Sequence, residues 1–243
     1  MVNSIIHSVP VPLLARQGST VFFIVFLIFS AWSAFRIGIS GIYDAMAKLE
    51  IDQWSKASEK IAGGGNRVKS YLSISYLFEP SNPSASINLG RLYEFRALSE
   101  SRKANLRSAL HHYTLASELR PASSVTWAII AEVKSQLAEL DMEFEEALAQ
   151  SVRFGPWEPV AQILIVRVGL RNWAQLSGQT RKLIRDTAIR GMFSRASGQS
   201  RRMARLLENQ GFLTLVCPHL PNSGEFSRYC KNTINNAISY QGI

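Results

Sequence analysis

The sequence contains the run Leu89-Gly90-Arg91-Leu92-Tyr93, which is followed by Ala109, Tyr113, Ala116 and Pro121. The last four residues lie at relative positions 0, 4, 7 and 12. Spacings of three and four residues place side chains on one face of a helix, and a proline cannot continue that helix. The same spacing occurs earlier in the chain, in the residues Val68, Leu72, Ser75 and Pro80. The chain therefore uses one helical pattern at least twice.

This spacing is typical of the second helix of a tetratricopeptide repeat and of the proline that ends it. Counting from Pro80 by the rule of that repeat gives the next leucine, glycine and tyrosine positions. The sequence has Leu89, Gly90 and Tyr93 at those positions. The register is thus carried across a proline from one hairpin to the next.

The register also continues beyond Pro121. The aromatic position of the following helix falls on Trp127, and its small position falls on Ala131. Helical hairpins of this kind cannot bury their own apolar faces, so successive hairpins must stack. The sequence therefore predicts stacked, tetratricopeptide-like hairpins.

Close helix contacts are expected at the small residues of the pattern. Gly90 and Ala116 would let two antiparallel helices approach, while Tyr93 and Tyr113 would fill the neighbouring gaps. An ordinary antiparallel bundle with alanines at these offsets is the alternative. The register across two prolines favours the stacked hairpins.

The N-terminal part of the chain is predicted to anchor it in a membrane. Residues 1–18 form a tail, and residues 19–42 form a transmembrane helix, since Thr20 to Phe35 carry no charge. The apolar character continues past Arg36, which can extend its charge toward the membrane surface, to Ile42. About 23 residues at ~1.5 Å each cross a ~30 Å hydrocarbon layer. A cleaved secretory signal is the alternative, but the bulky Trp32 argues against it.

The rest of the chain is predicted to be all-α and to form two regions. Residues 43–157 form the tetratricopeptide-like domain, and residues 158–243 form a basic C-terminal helical region. The run Gly63-Gly64-Gly65 is expected to break the helix and to give a flexible connection. An apolar helix from Val160 to Trp173 is expected to be buried between the repeats and the helices that follow.

The net charge of +9 is concentrated in one part of the chain. Residues 153–205 contain eleven Lys or Arg and two acidic residues, so the remainder is neutral overall. Arg201, Arg202 and Arg205 lie at neighbouring positions of one predicted helix. They can hold a carboxylate or phosphate, or they can simply be solvated. As partners of this basic region we expect anionic lipid or an acidic glycan rather than nucleic acid.

Cys217 and Cys230 are the only cysteines. They close a loop of fourteen residues, as a disulfide worth about 3 kcal/mol or as two unpaired thiols. We predict the disulfide. The distribution of Lys and Arg around the apolar segment does not decide the orientation in the membrane. Two cysteines after the apolar segment favour an oxidising compartment, so we place the soluble part in the bacterial periplasm and the anchor in the inner membrane.

The histidines and the acidic run do not predict a metal site. His111 and His112 are adjacent on a helix, hence about 100° apart, and cannot both face one ion. The run from Asp141 to Glu146 lacks the glycine and the spacing of a calcium loop. We therefore expect neither a metal nor a cofactor.

No motif for catalysis is found either. Glu94, Glu118 and Glu132 are the only candidates for a set of catalytic carboxylates, and ion pairing on the helix surface is the preferred interpretation of them. We predict that the protein is not an enzyme.

The chain after the apolar segment resembles the VpsP-like family of bacterial polysaccharide-biosynthesis proteins. The residues that carry the resemblance are Trp54, the run Leu89-Gly90-Arg91-Leu92-Tyr93-Glu94-Phe95-Arg96-Ala97, Phe144-Glu145-Glu146-Ala147-Leu148, Gly155-Pro156-Trp157-Glu158-Pro159, and Cys217-Pro218 with Cys230. The resemblance implies a single-span protein with tetratricopeptide-like repeats. It also implies a role in exopolysaccharide assembly, and it brings no catalytic residues.

From these features we expect a membrane-anchored scaffold that supports the synthesis or export of an exopolysaccharide. Its repeats would bind a protein component of that machinery, and its basic helices would contact an acidic partner. The alternative is a general cell-envelope scaffold or regulator that is unrelated to polysaccharide. An enzyme that acts on glycan is a third hypothesis, but the sequence supplies no convincing cluster of acids for it.

Overall fold

The computed structural model describes residues 13–54, 61–99, 101–194, 198–220 and 230. Within these ranges the chain is helical and has no strand. The helices are α1 (Leu13–Trp54), α2 (Ile61–Phe78), α3 (Pro83–Arg96), α4 (Arg102–Leu119), α5 (Ser124–Leu137), α6 (Met142–Phe154), α7 (Pro159–Arg171), α8 (Gly178–Met192), α9 (Gln199–Asn209) and α10 (Leu213–Val216). Short 3₁₀ turns, Trp173–Gln175 and Cys217–His219, follow α7 and α10. The predicted all-α fold class is confirmed.

Helix α1 is continuous over 42 residues. From Thr20 onward it is long and apolar enough to cross a membrane, and the side chains from Val21 to Phe29 are exposed. The helix begins at Leu13, so residues 13–18 of the predicted tail are helical. It also passes Ile42 without a break, because no proline interrupts the helical spacing there. Residues 1–12 of the predicted tail lie outside the described ranges.

Arg36, which is expected to extend its charge toward the membrane surface, also contacts α2. Its Nε and Nη2 atoms donate hydrogen bonds to the carbonyl oxygen of Phe78, at 3.0 and 2.7 Å. The last carbonyls of a helix lack partners within that helix. Arg36 therefore caps the end of α2 and joins it to α1.

The three glycines from Gly63 to Gly65 lie inside α2, so the predicted helix break was wrong. A glycine costs about 1 kcal/mol relative to alanine in a helix. The following turns of α2 offset this cost, because Val68, Leu72 and Ser75 are fully buried. Tertiary packing thus decides the conformation of the glycine run.

Consecutive helices pack as four antiparallel pairs: α1 with α2, α3 with α4, α5 with α6, and α7 with α8. Each pair contacts the next through α2 and α3, α4 and α5, or α6 and α7. The first helices of neighbouring pairs also meet, α1 with α3 and α5 with α7. Neighbouring hairpins therefore stack, and α9 and α10 pack against the last pair.

Polar residues set the beginnings of four helices. Asn82, Ser123, Asp141 and Ser177 each accept a hydrogen bond from a backbone N–H in the first turn of the helix that follows. These bonds satisfy donors that have no partner inside the helix.

The buried apolar residues form two clusters. The smaller one joins α1, α2 and α3 around Ile51, Leu72 and Leu92. The larger one extends from α4 to the turn after α10 and includes Phe144, Ile165 and other buried residues. Helix α7 lies in this larger cluster, between α5 and α8, as expected from its apolar sequence. The residues on both sides of the predicted boundary at 157 and 158 therefore share one core.

A disulfide links Cys217 to Cys230, with their Cα atoms 5.6 Å apart. Cys217 begins the 3₁₀ turn that follows α10, and both cysteines pack against the larger cluster. Most of the predicted cysteine loop, residues 221–229, lies outside the described ranges, as do residues 231–243.

Candidate interaction surfaces

The residues of the repeat pattern lie at the contacts between helices. Ala109, Tyr113, Ala116 and Ala131 are fully buried. Leu89, Tyr93 and Trp127 are half-buried, and Gly90 faces Tyr113. The exposed Pro121 follows α4, and its carbonyl oxygen accepts a hydrogen bond from Trp127 Nε1 at 2.7 Å. These residues therefore position the helices against one another.

A recess of about 310 Å³ lies on the face formed by α3 and α5. It is lined by Arg91, Glu94, Phe95, Leu98 and Gln136. Leu98 is 70% exposed and supplies apolar surface at this recess. Apolar surface beside an amide, a guanidinium and a carboxyl group suits a peptide segment better than it suits a small polar molecule.

Glu94 supplies the carboxyl group of this recess. Burial raises the pKa of its carboxyl group, the hydrogen bond from the Tyr113 hydroxyl partly opposes that rise, and Glu132 adds to it. Burial and the same carboxyl group raise the pKa of Tyr113. Glu94 therefore differs from the expected surface ion pair: it is a desolvated acid with a phenol as its partner.

Glu132 matches the expectation of an ion pair. Its Oε1 atom lies 2.9 Å from Arg171 Nη1, which joins α5 to α7, and accepts a hydrogen bond from Gln136 Nε2 at 3.2 Å. Its Oε2 atom is buried and has no partner within the described residues. Glu118 is exposed on α4. The three glutamates considered as a catalytic set therefore have different environments.

A second recess, of about 240 Å³, lies between α7 and α9. Val160, Ile163 and Leu164 supply its apolar surface, while Arg167 and Arg202 supply positive charge. Arg201 and Arg205 are exposed but do not line it. The structure thus pairs one of the three predicted arginines with Arg167, a residue that the sequence did not single out. Both arginines can bind an anionic group next to apolar surface.

The two histidines lie near a third recess, of about 410 Å³, between α2, α3 and α4. His111 is exposed, and His112 stacks on the ring of Tyr93 with 5.4 Å between ring centroids. Burial, followed by the charge of His111, lowers the pKa of His112. Among the described residues, no group of three or more His, Cys, Asp or Glu is arranged to hold a metal ion.

The acidic run after α5 has structural partners. Lys134, which is 4% exposed, donates hydrogen bonds to Asp141 at 3.0 Å and to Glu143 at 2.8 Å. Burial alone would lower the pKa of Lys134, but these two carboxylates outweigh it and the pKa is raised. Glu145 accepts hydrogen bonds from the hydroxyl groups of Ser177 and Thr180 at the start of α8. These acids therefore connect helices.

Comparison with known proteins does not assign the chain to a family. No protein-family model matches the sequence, and no curated protein matches it. The function is therefore inferred from the surfaces described above and from the residues quoted for the resemblance.

Proposed function

We propose that this protein is a non-enzymatic, membrane-anchored interaction protein that supports the synthesis or export of an exopolysaccharide. The observation that carries the proposal is the continuity of α1. An exposed apolar segment runs without a break into the first of four stacked helix pairs. Such a protein holds a binding surface at a fixed place beside a membrane.

The environments of the acidic residues support binding rather than catalysis. Asp141 and Glu143 hold Lys134, Glu132 pairs with Arg171, and Glu145 binds the start of α8. A catalytic pair of carboxyl groups instead needs two acids that converge on one substrate position. The recess between α3 and α5 offers one desolvated carboxyl group next to apolar surface.

The disulfide supports a location outside the cytoplasm. Disulfides persist in oxidising compartments such as the periplasm and are rare in the cytosol. We therefore propose that α1 crosses the bacterial inner membrane once and that the helices after it are periplasmic. The polysaccharide part of the proposal rests on the resemblance to the VpsP-like family.

The proposed protein partner binds in the recess between α3 and α5. Leu98 and Phe95 would receive an apolar side chain of the partner, and Gln136 would pair with its backbone. The basic recess between α7 and α9 would receive an acidic group, from anionic lipid or from a charged glycan.

Photo-crosslinking in intact cells tests this proposal. A photoreactive amino acid replaces Leu98 in the full-length protein, and a matched variant carries it at Thr114, which is exposed on α4. We expect position 98, and not position 114, to capture a component of polysaccharide synthesis or export. The same captured proteins at both positions would contradict the assignment of the recess.

Polymer production in a strain without the protein tests the biological role. We expect reduced exopolysaccharide output. Normal output together with defective envelope assembly would favour the general envelope scaffold instead. Turnover of a glycan by the purified protein would overturn the non-enzymatic assignment.

A further inference from the structure

The last turn of α2 lies beside the point where the charge-free part of α1 ends. Arg36 of α1 binds the carbonyl oxygen of Phe78, the last residue of α2. One turn further along α1, the Ser40 and Ser75 hydroxyl groups are 3.0 Å apart. Because the two helices are antiparallel, these contacts place residues 75–78 level with residues 36–40.

The length of the charge-free segment sets the depth of this point. The run from Gln17 to Phe35 has nineteen residues between Arg16 and Arg36. It spans about 28 Å as a helix, close to the ~30 Å of a bilayer's hydrocarbon layer. If this run fills the layer, Arg36 lies at the boundary with the headgroups. Phe78 lies at the same depth.

The surface at this level is apolar. Leu77 is 74% exposed and Tyr76 is 47% exposed on α2, while Phe35 and Ile37 are 53% and 57% exposed on α1. Exposed apolar residues that lie at one level of a structure are candidates for an interaction site. Tyrosine is enriched at the interface between lipid and water. A bilayer that surrounds α1 up to residue 35 would also cover this neighbouring surface.

We propose that the last turn of α2, through its exposed residues Tyr76 and Leu77, makes a second membrane contact at the boundary between acyl chains and headgroups. This inference rests on the proposed membrane anchoring of α1. Arg36 satisfies the terminal carbonyl of α2, which is costly to leave unpaired near lipid. Glu79 and Pro80 follow directly, so the chain turns back toward water. The first hairpin thereby contacts the membrane at two places, through α1 and through the end of α2.

Spin labels on the full-length protein test this contact. Single cysteines replace Ile28, Leu77 or Leu98, and the protein is reconstituted in vesicles of phosphatidylcholine and phosphatidylglycerol. Leu98 is the matched control, since it is 70% exposed but follows α3, whose end contacts the beginning of α2 through Arg96 and Asn66. Cys217 and Cys230 are left unchanged in these variants. A stoichiometry of one spin label per chain shows that both remain in the disulfide and are not labelled. Collision with oxygen and with a water-soluble nickel chelate reports the depth of each label.

We expect the label at 28 to be deep, the label at 77 to lie at the boundary, and the label at 98 to be in water. A deep label at 28 with equal nickel accessibility at 77 and 98 would overturn the second contact and leave the anchor intact. Nickel accessibility at 28 equal to that at 98 would overturn both the anchor and the contact.

Discussion

Gly90 of α3 lies directly against the ring of Tyr113 on α4. A Cβ atom at position 90 would be 2.5 Å from the nearest ring atom of Tyr113, closer than real Cβ atoms approach a neighbour. The Tyr113 hydroxyl group meanwhile binds Glu94, one turn further along α3. One tyrosine therefore fixes both the spacing of the two helices and the environment of a buried acid.

Replacing Gly90 with leucine should separate α3 from α4. Overpacking of a well-packed contact costs about 1–3 kcal/mol, and we expect at least this loss in the free energy of unfolding. Thermal or denaturant unfolding of the full-length protein in detergent measures it. Gly178→Leu is the matched control, since nothing lies within 4 Å of a Cβ atom at that exposed position. Similar stability of the two variants would contradict the close contact.

Replacing Glu94 with glutamine should stabilise the protein at neutral pH. The pKa of Glu94 is raised in the folded state, so its contribution to stability is present at low pH and is lost as the pH rises through that pKa. Glutamine carries no charge and still accepts the hydrogen bond from Tyr113. The melting temperature of Glu94→Gln should therefore exceed that of the wild type at pH 8, and the difference should shrink toward pH 4. Glu118→Gln, on an exposed position, should show no such trend.

Removing the disulfide should destabilise the C-terminal part. Closure of a loop of this length contributes about 3 kcal/mol, so the double variant Cys217→Ser and Cys230→Ser should lose a comparable amount. Melting curves with and without a reducing agent measure this loss. The wild type should shift on reduction, while the double variant should not respond. A wild type that is insensitive to reduction would contradict a structural role for the bond.

The three exposed arginines of α9 should bind acidic polymers in a salt-dependent way. Exposed charge pairs contribute about 0.2–1 kcal/mol each, so changing Arg201, Arg202 and Arg205 to glutamine should weaken binding about tenfold at low salt. Binding of a soluble polyuronate to the detergent-solubilised protein measures the change. A control variant removes the same charge from the exposed residues Lys69, Arg102 and Lys103. Equal losses in the two variants would show that only net charge matters.

The sequence pattern predicted the order of the hairpins because it consists of residues that are buried where helices pack. Leu72, Tyr113 and Ala131 each belong to a set of residues with helical spacing, and the structure buries all three. Prolines carry a local signal, so Pro121 correctly predicted the end of α4. Such features depend on a few neighbouring residues and are therefore visible in the sequence.

The errors came from long-range packing. The glycines before Val68 have a low helix propensity, but burial of α2 against α1 overrides it. The bond between Arg36 and Phe78 joins residues 42 positions apart, and no spacing rule predicts it. Arg167 became part of the basic recess only because α9 packs beside α7.

One further contact had a usable signal. Gly169 interrupts the apolar sequence of α7, and a Cβ atom there would be 2.6 Å from Ile184 on α8. A lone glycine within an apolar helix often marks such an approach. The argument that predicted a close helix contact at Gly90 would also have predicted one at Gly169, between α7 and a neighbouring helix.

Because α1 is continuous, the orientation of its apolar segment fixes the orientation of the first hairpin. Each residue turns a helix by about 100°. Adding one residue between the apolar segment and Ser40 would therefore rotate every later helix by that angle relative to the apolar segment. A rotation of the apolar segment about its axis would likewise be transmitted to the later helices, because α1 has no break. The direction in which this protein presents its recesses is therefore set by the count of residues in a single helix.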